Sequence, residues 1–183
     1  MKSFSDKADF EVKWLPFQLN PKAKGGEGVN KLEMYRQKFG EDRVNSMLPM
    51  MVATGKKEGI NFSYGGNTGN TYDSHRLISF AAKQGKQDEM VEELFKNYFE
   101  EEKCLSDHAV LIAASQKVGL VGAEELLTSD TESKEVEADL KKYQGGMGIR
   151  GVPHFIVDGK YQESGAIDSK DLQQIFEHCL GEK

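Results

Sequence analysis

The stretch Val152-Pro153-His154-Phe155-Ile156-Val157-Asp158-Gly159-Lys160-Tyr161-Gln162-Glu163 carries the reading that decides the fold. The β-branched and aromatic run ending at Val157 predicts a strand. Asp158-Gly159 is a type I′ hairpin signal, because both central positions take positive φ. Lys160-Tyr161-Gln162-Glu163 then returns as the partner strand. Gly165 follows, and a capped helix is expected from Ser169, with Leu172, Ile175, Phe176 and Cys179 on one face.

Upstream the character is different. Phe10-Glu11-Val12-Lys13-Trp14 alternates apolar and charged residues at period two and predicts a strand, ended by Pro16 and Pro21. Asn30 with Glu33 forms a capping box, Leu32, Tyr35 and Phe39 share a helical face, and Gly40 is placed to end that helix. Val44, Met47, Leu48, Met51 and Val52 make the next stripe. Pro49 lies inside it, so a bend or break is expected near Met47. Residues 60–70 are Gly/Asn-rich and read as a flexible loop. Further helices are expected from Asn70-Thr71 to Gly85, around Leu94 and Phe99, and from the Ser106-Asp107 cap to Gly119. Two shorter ones follow near 123–127 and 133–143. Strand, helical block, hairpin and helix in that order predict an α/β architecture with a helical subdomain.

Composition excludes several function classes. The 183 residues are 38% hydrophobic and 30% charged, a globular balance. Asp plus Glu number 30 against 24 Lys plus Arg, a net charge of −6, and no basic block exists to neutralise phosphates, so no nucleic-acid partner is expected. No apolar run reaches the ~20 residues of a membrane helix. Met1-Lys2-Ser3-Phe4-Ser5-Asp6 has no hydrophobic leader core, so a cytoplasmic location is expected. Cys104 and Cys179 form no Cys-x-x-Cys pair, and the histidines lack ligand spacing, so no metal and no resident cofactor are expected.

Five motifs in order resemble the DsbA-like thioredoxin family. They are Trp14-Leu15-Pro16-Phe17-Gln18-Leu19-Asn20-Pro21, Asn70-Thr71 with His75-Arg76-Leu77, Leu94-Phe95 to Tyr98-Phe99, Gly151-Val152-Pro153, and Ser164-Gly165-Ala166. The nearest branch is the FrnE-like group, relatives of kappa-class glutathione transferases and 2-hydroxychromene-2-carboxylate isomerases. The resemblance implies a thioredoxin-like fold with an inserted helical domain: residues 1–29 and 144–183 supply the thioredoxin-like part, residues 30–143 the insertion. It also implies a cis bond at Pro153, with Val152 offering backbone groups to a peptide or thiol substrate. Sequence physics alone says only that Val152 is pushed toward extended geometry.

The family's first strand and its Cys-x-x-Cys helix, where the helix dipole stabilises a thiolate, are not found in this sequence. Met1–Ala8 matches at most the tail of that helix, and neither Ser3 nor Ser5 reads as a nucleophile. Three expectations follow. The chain is a thiol–disulfide oxidoreductase relative, inactive as given, with no catalytic residue. It is a glutathione-dependent isomerase or transferase of kappa type, with glutathione as substrate or ligand. Or it is a non-catalytic binding protein. A sheet short of its central strand also predicts self-association through an unpaired edge.

The candidate substrate-binding residues are Val152, Pro153, His154 and Arg76. His154 follows Pro153 and could contact substrate or tune a thiolate; the plainer reading is a space-filling strand histidine. Arg76 could face an acidic ligand; the plainer reading is a helix-surface arginine. Cys179 reads as a buried inert thiol on an apolar face, and Cys104, after Glu100-Glu101-Glu102, as an incidental surface cysteine. His108 and His178 read as solvated.

Overall fold

The computed structural model describes residues 1–181, which divide into two compact units at Glu137 and Ala138. The first unit opens with a short 3-10 turn, Lys2–Phe4, whose Phe4 is buried and meets the edge of Phe10 at 6.4 Å. Residues 10–14 are not a strand. Period-two alternation marks a chain with two unlike sides, but a strand exists only where a neighbour supplies ladder partners. Here a side chain does so instead: the Trp14 N–H donates to Gln87 Oε1, and Gln87 Nε2 donates back to the Trp14 carbonyl.

β1 (Val29–Asn30) pairs antiparallel with β2 (Asn67–Thr68), Val29 opposite Thr68. Between them lie α1 (Lys31–Phe39) and α2 (Glu41–Lys57). Asn30 accepts the Glu33 N–H and Gly40 ends α1 at φ 85°, both as the sequence predicts. α2 runs unbroken through Pro49, contrary to the expected break. The proline is exposed, so the carbonyl it leaves unpaired can turn to water rather than demand a buried partner. Residues 60–70 are likewise no free loop. β2 lies in them, the Asn61 N–H donates to Glu100, and the Ser63 N–H donates to the Phe99 carbonyl.

α3 (Tyr72–Lys83), α4 (Gln87–Phe99), α5 (His108–Val118) and α6 (Ala123–Leu127) enclose the core. Leu77, Ala81, Met90, Leu94, Leu111 and Leu126 are its most deeply buried members. Local signals fix the helix ends. Asn70 Oδ1 accepts the Tyr72 N–H ahead of α3, Asp107 accepts the Ala109 N–H to cap α5, and Gly119 closes α5 in the left-handed region. α7 (Ser133–Asp139) continues as a π-helical turn, Leu140–Gly146.

The second unit is built from β3 (His154–Val157), β4 (Tyr161–Ser164) and α8 (Ser169–Gly181). Asp158 and Gly159 take φ of 52° and 69°. The hairpin is one residue longer than predicted: Val157 faces Tyr161, and Lys160 sits in the loop with its N–H on the Val157 carbonyl. α8 is capped by Asp168, whose Oδ1 takes the Lys170 and Asp171 N–H groups. Among the described residues no third strand joins this sheet, and none of residues 138–181 is fully buried. Its apolar face is made but half covered.

Candidate functional site

The hairpin positions an open cleft. From the π-helical turn the chain is drawn in by two hydrogen bonds, Met147 N–H to the Lys142 carbonyl and Ile149 N–H to that of Tyr143. Gly148, at φ 68°, lets the chain turn where a side chain would strain it. The Val152–Pro153 bond is cis, and the Gly165 N–H donates to the Pro153 carbonyl at 2.9 Å, joining the loop to the far end of β4. A cleft of about 510 Å³ results, lined by residues 147–154 with Ser164 and Gly165. Val152 is 51% exposed on its rim, and no described residue pairs with its N–H or C=O.

His154 lines this cleft with both ring nitrogens engaged. Nε2 faces Gln162 Oε1 at 3.3 Å, an oxygen that can only accept, so Nε2 carries the proton. Nδ1 lies 2.8 Å from the Ser164 hydroxyl, which can donate or accept. The imidazole is thereby oriented along the hairpin.

Arg76 stands elsewhere, in the first unit, and is 4% exposed. Its Nε donates to the Thr131 carbonyl, Nη1 to Asp73 at 2.8 Å, and Nη2 to the carbonyls of Leu126 and Ser129. The guanidinium that the sequence offered to an acidic ligand or to solvent is engaged with the last carbonyls of α6 and the loop after it. Asp73 also receives the His108 Nε2–H at 2.7 Å, so His108 is paired rather than simply solvated. Burial pushes the Asp73 carboxyl up, but the His108 and Arg76 contacts outweigh it and hold it below its ordinary value. A second cleft, of about 430 Å³, is lined by this pair together with Asn70, Tyr72 and Ser106.

Cys104 is not a surface cysteine: it is 8% exposed, with Sγ 3.2 Å from Ser106 Oγ. The chain turns at Glu102, φ 59°, and the thiol packs against Gly28, just before β1. Beside it Lys31, 1% exposed, donates to the Tyr98 carbonyl and lies 3.9 Å over the Tyr98 ring. Burial pushes this ammonium below its ordinary value, opposed by Glu102 and Cys104. Sequence reading missed Lys31, and nothing in the local pattern marks it. Cys179 is half-buried in α8, and both thiols are free. Among the described residues no group of three His, Cys, Asp or Glu side chains could hold a metal.

His75 gives a test of the packing around the Phe17 segment. Its Nε2–H donates to the Phe17 carbonyl at 3.1 Å, and burial pushes the imidazole below its ordinary 6.5, the hydrogen bond opposing. The folded state therefore holds the ring neutral while the unfolded chain protonates at 6.5, so stability is lost as pH falls through 6.5. Urea midpoints measured at pH 7.5 and 5.5 should fall more for the native chain than for His75→Gln; equal falls would show that the ring is freely protonated when folded.

The model of the DSBA-like thioredoxin domain family matches residues 1–177. A crystal structure of a probable DsbA oxidoreductase from Streptomyces coelicolor superposes with a TM-score of 0.83 at 24% identity, covering 91% of this chain and 74% of that one. No curated protein matches significantly. At that identity the structural likeness speaks for the fold: a DsbA-like thioredoxin fold with a helical insertion. No helix among the described residues is long and apolar enough to cross a membrane.

Proposed function

The chain belongs to the DsbA-like thioredoxin family, a family of thiol–disulfide oxidoreductase type, and from that premise we propose that the Val152-Pro153-His154 cleft docks an extended thiol-bearing peptide along the Val152 backbone. The observation that carries this is the free N–H and C=O of Val152 at the rim of the cleft. A peptide adding there as a short strand gains main-chain hydrogen bonds, while the cleft receives alternate side chains. Glutathione, itself a thiol peptide, is a second candidate occupant. Val152, Pro153 and His154 are the substrate contacts in this reading, and Arg76 is scaffold. Residues 1–29 and 144–183 are the thioredoxin-like part and residues 30–143 the insertion.

Disulfide exchange at such a platform runs through a mixed disulfide and needs a thiolate facing the docked cysteine. No cysteine lines the cleft, and the 183 residues hold no Cys-x-x-Cys pair. The chain therefore docks without exchanging. Its two free thiols fit a reducing compartment, in keeping with a cytoplasmic location. The open hairpin edges are where a partner strand or a second copy would add.

The test has two parts. Insulin reduction by the 183-residue chain should not exceed the dithiothreitol background, and robust turnover would overturn the docking-only reading. A cysteine peptide should shift the amide signals of Val152 and its neighbours in a heteronuclear NMR titration. N-methylation at the peptide residue facing Val152 should abolish those shifts, while methylation one residue along is tolerated. Equal tolerance at both positions would count against strand addition.

A further inference from the structure

We propose that Arg150 is a specificity determinant of this cleft, selecting ligands that carry a carboxylate within one or two residues of the group docked on Val152; the inference rests on the docking reading above.

Arg150 lines the same cleft as Val152 and Pro153 and is the one lining residue that carries a permanent charge. It forms no ion pair and no hydrogen bond with any described residue. That sets it apart from Arg76, whose donors are engaged with Asp73 and three carbonyls. The other polar side chains of the cleft are occupied, since His154 and Ser164 are bonded to one another and the second His154 nitrogen to Gln162. A docked ligand therefore meets one free side-chain donor group, a planar fork matched to a carboxylate and weakly hydrated compared with an ammonium.

The field around it points the same way. The chain carries a net charge of −6, yet no carboxylate lines the cleft. An isolated positive group in a concave site attracts anions and discourages cations. Position sets the reach. Arg150 lies two residues before Val152, at most about 7 Å along an extended chain, so a peptide pairing with Val152 brings its first or second neighbouring side chain opposite the guanidinium. A glutamate or aspartate beside the cysteine satisfies this, and so does a terminal carboxylate of a small thiol peptide.

The experiment uses the full chain and non-reactive probes. One pair is an end-blocked pentapeptide with S-methylcysteine at its centre flanked by glutamate, and the same peptide flanked by glutamine. S-methylglutathione and its diamide form the second pair. Affinities are read by NMR titration on the native chain, Arg150→Gln and Arg150→Lys. The expected result is a three- to ten-fold preference for the carboxylate probe in at least one pair. It should be lost in Arg150→Gln, partly kept in Arg150→Lys, and shrink between 50 and 500 mM salt. The pair that shows it identifies the source of the carboxylate. Native binding of all four probes without preference, or a preference surviving in Arg150→Gln, overturns the inference and leaves the docking reading standing. No binding of any probe to the native chain overturns both. Arg150 is exposed, so these variants are expected to fold; unchanged amide spectra away from the cleft verify that.

Discussion

Arg76→Ala is expected to lose about 2–4 kcal/mol of stability, less than the ~3–5 kcal/mol lost when one partner of a fully buried ion pair is removed, because Asp73 is part-exposed. The side chain is 4% exposed and binds four acceptors: the carbonyls of Thr131, Leu126 and Ser129 and the Asp73 carboxylate. Truncation leaves the Thr131 and Ser129 carbonyls without their side-chain donor, at about 1–3 kcal/mol for each that water cannot reach, while the Leu126 carbonyl keeps the Ser129 N–H and hydroxyl and Asp73 keeps His108. Water entering the vacated space moderates the sum, which is why it is not simply additive. α6 is only five residues long, and Arg76 ties its Leu126 carbonyl and the Ser129 and Thr131 carbonyls beyond it to α3. Arg76→Lys keeps the charge but replaces a planar fork with a point donor, so it should recover less than half of the loss. Urea unfolding followed by circular dichroism at 222 nm measures both. A loss below about 1 kcal/mol in Arg76→Ala would show that the arginine is not the joint between α3 and the segment after α6, and would return it to the candidates for ligand binding.

The contrast between Arg76 and Arg150 shows what the sequence could and could not disclose. Each stands in a motif of the family resemblance or directly beside one, and each looks alike as a letter. Burial and bonding separate them, and both are set by residues far away in sequence: Leu126 lies 50 positions from Arg76. Local structure was legible wherever its hydrogen bonds are local. Asn30 reaches Glu33, Asp107 reaches Ala109, and Asp158 and Gly159 take positive φ. Reading failed where the partner is remote. Residues 10–14 have the alternation of a strand but find Gln87 instead of a neighbouring strand. Lys31 and Cys104 are drawn into packing that the charges around them argue against. At the cleft, the cis bond came from the resemblance alone, while the unpaired Val152 backbone and the free Arg150 are properties of the folded chain that no local pattern encodes.

Gly66→Ala should be among the most damaging single-methyl changes in the first unit, costing about 3 kcal/mol or more. Two separate effects combine. Gly66 has φ 70°, where an added Cβ costs roughly 1–2 kcal/mol by its own backbone geometry. That Cβ would also collide with the backbone carbonyl of Glu102, an atom that cannot rotate away as a side chain would. Overpacking that forces backbone movement costs about a further 1–3 kcal/mol. The Glu102 turn has little room to yield: its φ is 59°, and its carboxylate accepts the Ser63 hydroxyl. On the other side the Gly66 carbonyl takes the Lys31 N–H at 3.0 Å, so displacement would pull on the start of α1 and on a buried lysine. Gly85→Ala isolates the first effect, since Gly85 has φ 65° and open space around the added atom. It should cost only the roughly 1–2 kcal/mol of backbone strain. A difference of about 2 kcal/mol between the two variants in urea unfolding would assign the excess to the Glu102 contact. Equal losses would mean that the segment around Glu102 relaxes freely, and that the Lys31 environment is not held in place from this side.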